Sequence, residues 1–302
     1  MRYFYYIVKL VYLTGISLFS FHISSLYAKP LNKNFTSEFL KIENRNINES
    51  SGLSYSPQNA LIWTHNDSGN AAIIYALSTL GTHIGEYLLP DFPFDWEDMS
   101  AVSIDNINYL MLADTGDNYK FRRTYRLSFY VEPKVDSKKS LNTIINLDSS
   151  YLSWEVLFKF ENNKSYNIEA TAVDSTSQKI YVLTKSKKKT KLFQLPLKPT
   201  HTGSGNEVVE AEFIQNMPDI KRATAMDISR DGLSAVVLVY GYVYYYQRKV
   251  DQSWKKAFSK ADKIIKYPQL FQPEAICFGV DANELYLTSE KRSHLLRLKL
   301  LD

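Results

Sequence analysis

With one cysteine, Cys277, in 302 residues, a disulfide framework is excluded as the source of stability. Nothing around that thiol signals a lowered pKa, so it reads as a buried structural group and not as a nucleophile. A large excess of either charge is also lacking. The formal net charge is +4, and loss of an N-terminal leader carrying Arg2 and Lys9 but no acid brings it to +2. So small an excess gives no basis for a nucleic-acid partner, and none is expected. The one basic cluster, Lys185 to Lys191 with Lys187, Lys188 and Lys189, reads as a solvated hairpin tip between two strand-like runs. No Gly-x-Ser-x-Gly, His-Glu-x-x-His, Walker or dinucleotide fingerprint occurs, so the usual nucleophile, zinc and nucleotide motifs are missing. Beyond the N-terminus no stretch is apolar for long enough to span a bilayer, and no low-complexity tract or domain boundary stands out.

The N-terminus itself reads as an export signal. Arg2 precedes an apolar stretch from Tyr3 to Phe21, and Ser24 to Ala28 offers a cleavage site after Ala28. Residues 1–28 are thus expected to be a signal peptide, with an uncleaved anchor as the alternative because Lys9 interrupts the apolar run. Residues 29–302 are left as one exported domain, secreted or periplasmic, expected as a monomer. Aromatic residues make up 14%, with 22 Tyr and 16 Phe, which suits many short strands.

One short phrase recurs five times: Ser51-Gly-Leu-Ser-Tyr, Glu97-Asp-Met-Ser-Ala, Glu169-Ala-Thr-Ala-Val, Thr224-Ala-Met-Asp-Ile and Glu274-Ala-Ile-Cys-Phe. Each opens on a side-chain oxygen, turns apolar, and is followed by a second β-rich run. Intervals of 46, 72, 55 and 50 residues compare with roughly 40–50 for a four-stranded propeller blade. The long second interval holds a polar tract, Lys134 to Ser150, read as an excursion between strands. The fold expected is all-β, a five-bladed β-propeller with four strands per blade, six blades being the alternative. The fifth unit is one strand short. The segment Phe35-Thr-Ser-Glu-Phe-Leu-Lys-Ile supplies the missing outer strand and closes the ring. Only Ser253 to Ala261 looks helical.

In a propeller the start of each innermost strand and the end of the second strand emerge on one face. That places Ser51, Glu97, Glu169, Thr224 and Glu274 in a ring. Around it come His65 to Asn70, Asp114-Thr-Gly-Asp-Asn, Lys185, Tyr240 and Glu290-Lys291-Arg292. Three carboxylates close together raise one another's pKa unless a cation holds them, and an all-oxygen set suits calcium. The other reading pairs the glutamates with backbone donors or with Lys221 and Arg222. Asp67 and Asp114 open the two polar turns and are candidate bases. Arg122, Arg123, Lys185, Glu290 and Lys291 are candidate substrate contacts, the cations suited to phosphate or carboxylate. Trp96 is expected to pack between blades.

The segments Asn66-Asp-Ser-Gly-Asn, Asp95-Trp-Glu-Asp, Asp114-Thr-Gly-Asp-Asn and Glu132-Pro133 resemble those of secreted bacterial propellers, some grouped with phytase-like proteins. The ring resembles that of calcium-activated nucleotidase, the apyrase of animals and blood-feeding arthropods. That resemblance implies a five-bladed propeller with central calcium, placing Ser51, Glu97, Glu169, Thr224 (for a serine) and Glu274 as its ligands. The function implied is calcium-dependent hydrolysis of a phosphate ester or anhydride, a small anionic substrate, for which the adjacent Asp67 or Asp114 is the expected base. The competing reading is a non-catalytic propeller with structural calcium that binds an envelope or extracellular ligand. Calcium-dependent lactonase or esterase chemistry, for which His65 is the candidate catalytic histidine, ranks last.

Overall fold

The computed structural model describes residues 35–136, 143–198 and 207–301. The proposed signal peptide, residues 1–28, lies outside them. The chain enters on β1 (Phe35–Lys41) and then builds blade 1 from β2 (Ser50–Ser56), β3 (Leu61–Asn66), β4 (Ile73–Ser78) and β5 (His83–Leu88). Blade 2 uses β6 (Trp96–Ile104), β7 (Ile107–Asp114) and β8 (Tyr125–Val131). Its fourth strand is β10 (Leu152–Lys159), reached after the short β9 (Ile144–Asn146). In blade 3, β11 (Ile168–Asp174), β12 (Lys179–Thr184) and β13 (Thr190–Pro196) are followed by β14 (Val208–Glu210) and β15 (Glu212–Met217). Blade 4 comprises β16 (Ala225–Ile228), β17 (Ser234–Val239), β18 (Tyr242–Gln247) and β19 (Lys263–Ile265). A single helical turn, α1 (Trp254–Ala257), precedes β19, its N-cap supplied by Ser253. Blade 5 is β20 (Pro273–Phe278), β21 (Glu284–Ser289) and β22 (Arg292–Leu300), with β1 as its outer strand.

The molecule is a five-bladed β-propeller. Five separate sheets form, and the inner strands β2, β6, β11, β16 and β20 touch in that cyclic order, with β20 returning to β2. The ring closes as the missing strand of the fifth unit indicated. β1 runs antiparallel to β22 from Phe35 opposite Leu300 to Lys41 opposite His294, so the first and last described strands share one sheet. Six blades are excluded.

Blades 1 and 2 each carry a fifth strand that the repeat did not reveal. β9 lies parallel to β5, and β14 lies parallel to β10. In both cases the stretch between the third and fourth strands of one blade reaches back to cover the outer edge of the blade before it. An open edge invites pairing with another chain, and these short strands occupy it.

Five apolar clusters fill the five gaps between blades. The gap between blades 2 and 3 is the most aromatic, with Tyr125 stacked on Phe158 and edge-on to Phe160, which meets Phe193. Each such ring contributes roughly 1.5–3 kcal/mol on burial, and the ring shape follows from wedging these layers between twisted sheets. Trp96 is buried between blades 1 and 2, as expected, and Cys277 is fully buried in the layer between blades 5 and 1.

Two acids link the inner strands to one another. Asp98 accepts hydrogen bonds from the backbone N–H of Met99, Thr171 and Met226, tying the inner edges of blades 2, 3 and 4 together. Asp227 does the same for Ile228 and Phe278. Burial pushes Asp98 well above the usual carboxylate range and Asp227 up to about 7. These acids satisfy backbone donors that an inner edge would otherwise leave unpaired.

Candidate functional site

A local irregularity common to four blades explains why the first residue of each phrase faces the mouth of the channel. The ladder between the first two strands skips one residue in each: Ser51 in blade 1, Glu97 in blade 2, Glu169 in blade 3 and Glu274 in blade 5. Such a bulge kinks the strand and re-aims the extra side chain. The three glutamates reach the mouth in this way and are buried. Burial pushes Glu97 well above the normal range, with Glu169, Asp67 and Asp95 adding repulsion. Glu169 is raised by burial against the pull of Lys185, and Glu274 is pushed up to about 7 by the same cause.

The two hydroxyl members of the ring are engaged elsewhere. Ser51 Oγ donates to the Glu97 carbonyl at 3.0 Å and Thr224 Oγ1 to the Pro273 carbonyl at 2.8 Å, so each stitches its blade to the next.

Between Glu169 and Glu274 stands Lys185. Its Nζ forms an ion pair with Glu169 Oε2 and lies 3.5 Å from Glu274 Oε2. Tyr240 donates to Glu274 Oε1 at 2.8 Å, and Asn167 donates to Glu169 Oε1 at 2.7 Å. Burial works against the Lys185 ammonium, yet the two glutamates hold its pKa above the ordinary lysine value. The hairpin between β12 and β13 forms as expected, with Lys187, Lys188 and Lys189 exposed at its tip, but its first lysine turns inward. Lys185 therefore takes the pairing role considered for Lys221 and Arg222, both of which are exposed.

On the opposite side of the mouth Asp67, Asp95 and Glu97 converge, one oxygen from each lying within 4.8 Å of the others. Burial, then repulsion from Asp67, pushes Asp95 up to about 6, and burial likewise raises Asp67. Gly116 of the Asp114-Thr-Gly-Asp-Asn turn closes over them. A Cβ there would fall 2.1 Å from Asp95 Oδ2 and 2.3 Å from Glu97 Oε1. The turn is pinned from blade 3, since Asp117 N donates to Asn167 Oδ1 at 2.6 Å and Thr115 Oγ1 to the Ile168 carbonyl at 3.0 Å. Three hard oxygen donors, spaced for one ion and cradled by a residue without a side chain, suit calcium, whose ligand oxygens sit about 2.3–2.6 Å from the metal. Neither nitrogen nor sulfur takes part.

Gly116→Ala is consequently expected to displace both carboxylates and weaken divalent-ion binding at least about tenfold while leaving the fold intact. Calorimetric titration with calcium, alongside circular dichroism, measures both.

The remaining candidates fall into place around this cluster. Asp114 accepts four hydrogen bonds, from Phe94 N, Asp95 N, Arg122 Nη1 and Arg126 Nη2. Burial alone would raise it, but the Arg122 guanidinium and these bonds hold it below the usual carboxylate range. Arg122 is committed to Asp114 at 2.8 Å and to the Gly116 carbonyl at 3.2 Å. Arg123 is exposed and donates to the Asn163 carbonyl at 2.6 Å. Glu290 is half-buried, raised by burial and by Asp67, and accepts from Gln272 at 2.9 Å. Lys291 is exposed beside it, its backbone in the left-handed region and its N–H donating to the Asn48 carbonyl. His65 is buried beneath Gly52, and burial pushes its pKa down to about 4, which keeps the ring neutral. Asp95 escaped the sequence reading as a ligand, although it sits two residues before Glu97.

No family model matches the chain, and no curated protein matches it. Among solved structures it is similar to a chain of the nidogen/laminin complex, with a TM-score of 0.43 and 9% identity over 84% of this chain and 85% of that one. At that level the likeness carries nothing about activity. No helix among the described residues is long and apolar enough to cross a membrane.

Proposed function

We propose that this chain is an exported, calcium-binding β-propeller that serves as a recognition module, with the ion held by Asp67, Asp95 and Glu97 at the mouth of the channel. One observation carries the reading: three carboxylates share a space sized for a single hard cation, and Gly116 leaves it open. Among the cations that would hold a phosphate, Arg122 is spent on Asp114, Arg123 is bonded to the Asn163 carbonyl, and Lys185 is shared by two glutamates. A mouth so rich in acids attracts cations and repels free anions. Export is supported by the apolar run from Tyr3 to Phe21 ahead of Ala28.

The second reading is calcium-dependent hydrolysis of a phosphate ester or anhydride. It is favoured by the convergence of Asp67, Asp95 and Glu97, whose oxygens lie within 4.8 Å of one another and would hold an ion where a phosphoryl group could meet it. Bound calcium would supply charge stabilisation to a phosphoryl group. Asp67 would then hold the proton of an attacking water, and Lys185 would be drawn partly from its glutamates.

Calcium titration by calorimetry, paired with phosphate release from nucleotides and phytate in calcium and in chelator, separates the readings. Calcium binding without turnover supports the recognition module. Calcium-dependent phosphate release moves the assignment to the hydrolase, and absence of any calcium binding overturns both.

A further inference from the structure

Two blades have their outer edges covered by this chain's own short strands, and the two covers are built alike. On β5 the parallel strand runs Ile144-Ile145-Asn146 with Leu147 after it, and on β10 it runs Val208-Val209-Glu210 with Ala211 after it. Two β-branched residues, one polar residue and one apolar residue recur in the same order. Their burial recurs as well. The first and third side chains are exposed, the second is half-buried against the apolar layer beneath, and the fourth is buried in that layer. Leu147 N donates to the Leu88 carbonyl at 2.9 Å and Ala211 N to the Lys159 carbonyl at 2.8 Å, so each cover ends level with the C-terminus of its host strand.

Blade 3 has the host without the cover. β15 is the last strand of its sheet among the described residues, and its ladder skips Ile214 much as that of β5 skips Ile84 and that of β10 skips Ser153. The stretch in the covering position, between β18 and β19, folds into α1 instead. Trp254 stacks on Phe258 there and donates from Nε1 to Asp174 Oδ2 at 2.8 Å. Lys191 N turns toward β12, donating to Thr184 Oγ1 at 3.0 Å, so Asn216 opposite it in the antiparallel ladder points its own N–H and C=O to the open edge. Beside this half of β15 lies a groove of about 320 Å³ lined by Met217, Ile220, Tyr246, Phe258, Ala261 and Ile264. The outer strands of blades 4 and 5 are guarded. β19 is three residues long and opens on Lys263, while β1 carries Glu38 and Lys41, and charges of this kind discourage pairing. From Phe213 to Met217 no residue is charged.

We propose that β15 is a docking edge for an extended segment of a partner protein, added in parallel as a fifth strand and carrying two β-branched residues, then Asn or Glu, then an apolar residue. Backbone bonds to the edge supply the attachment, and an apolar side chain in the groove supplies selectivity. The occupant's chemistry is what this chain itself lays on β5 and β10. Charge does not choose it, because the groove is rimmed by one exposed acid, Asp219, and one exposed base, Lys260. The inference goes beyond the recognition reading and uses nothing at the mouth of the channel.

The test uses the folded chain and three labelled peptides, followed by fluorescence anisotropy. One carries Thr-Ile-Ile-Asn-Leu, the sequence of residues 143–147, between Gly-Ser flanks. The second has aspartate for its second isoleucine, and the third is N-methylated at alternate residues. The first is expected to bind at least about tenfold more tightly than either of the others, equally in calcium and in chelator. Asn216→Pro removes an N–H on the solvent edge of a strand, where proline is tolerated, and is expected to weaken that peptide at least about tenfold with circular dichroism unchanged. Hydrogen exchange locates the peptide, with slowed amides expected from Phe213 to Met217. No binding at millimolar concentration, equal binding of the three peptides, an unaffected Asn216→Pro variant, or protection along β1 in place of β15 overturns the proposal. Dimers of the chain alone with β15 protected would give the edge to a second copy, and affinity lost in chelator would trace the peptide to the mouth, and either result overturns it too. None of these readings measures the ion, so the proposed calcium site stands or falls separately by its own titration.

Discussion

In chelator Glu97→Gln is expected to melt at a higher temperature than the parent chain, and in millimolar calcium at a lower one. Glu97 is buried among Asp67, Asp95 and Glu169, so without an ion its negative charge opposes folding. The amide keeps the shape and removes the charge. With calcium held as proposed, the ranking reverses, because the folded parent offers the ion three carboxylates and the variant two. At a thousand times the dissociation constant a ligand stabilises by about 4 kcal/mol, worth roughly 10 °C in a domain of this size. Differential scanning fluorimetry of both chains in both buffers gives four melting temperatures. A variant that shifts in the same direction in calcium and in chelator would show that Glu97 acts through packing alone, and the ion assignment would fail.

The blade count was legible because the inner strand of every blade is built alike, with a polar opening at the mouth and then residues wedged between sheets. Ring closure was legible too, since the fifth unit lacked an outer strand and the segment from Phe35 was there to supply it. The extra strands β9 and β14 were not, because three-residue edge strands leave almost no periodicity. In the ring, two physical facts were not legible. A hydroxyl at a blade seam finds a carbonyl of the next blade within reach, as Ser51 and Thr224 do, and is held there. A lysine at the base of a hairpin can also turn inward. Spacing along the chain gives no sign of that, because Lys185 sits in a run of four further lysines that looks uniformly solvated.

That inward lysine leads to the second large expected effect. Lys185→Met leaves Glu169 and Glu274 buried without their shared cation, and removing one partner of a buried pair costs about 3–5 kcal/mol. The loss should depend on pH in the direction opposite to ordinary acid denaturation. Glu274 already titrates near 7 with the ammonium in place, and without it both glutamates bind protons more tightly in the folded than in the unfolded chain. Stability then falls as pH rises from about 5 to 8, because the folded state holds the extra protons. Chemical denaturation at pH 5 and pH 8 in chelator should show the variant close to the parent at the first and several kcal/mol below it at the second. Calcium supplies a further discriminator. With the ammonium gone, Glu169 and Glu274 join Glu97 as uncompensated acids facing one mouth, and a divalent ion can replace the lost charge. The variant should therefore recover more stability from calcium at pH 8 than the parent gains. If pH and calcium leave the deficit unchanged, Lys185 contributes through its Nζ over the Tyr240 ring, 5.8 Å from the centroid, and not as the cation that holds the two glutamates together.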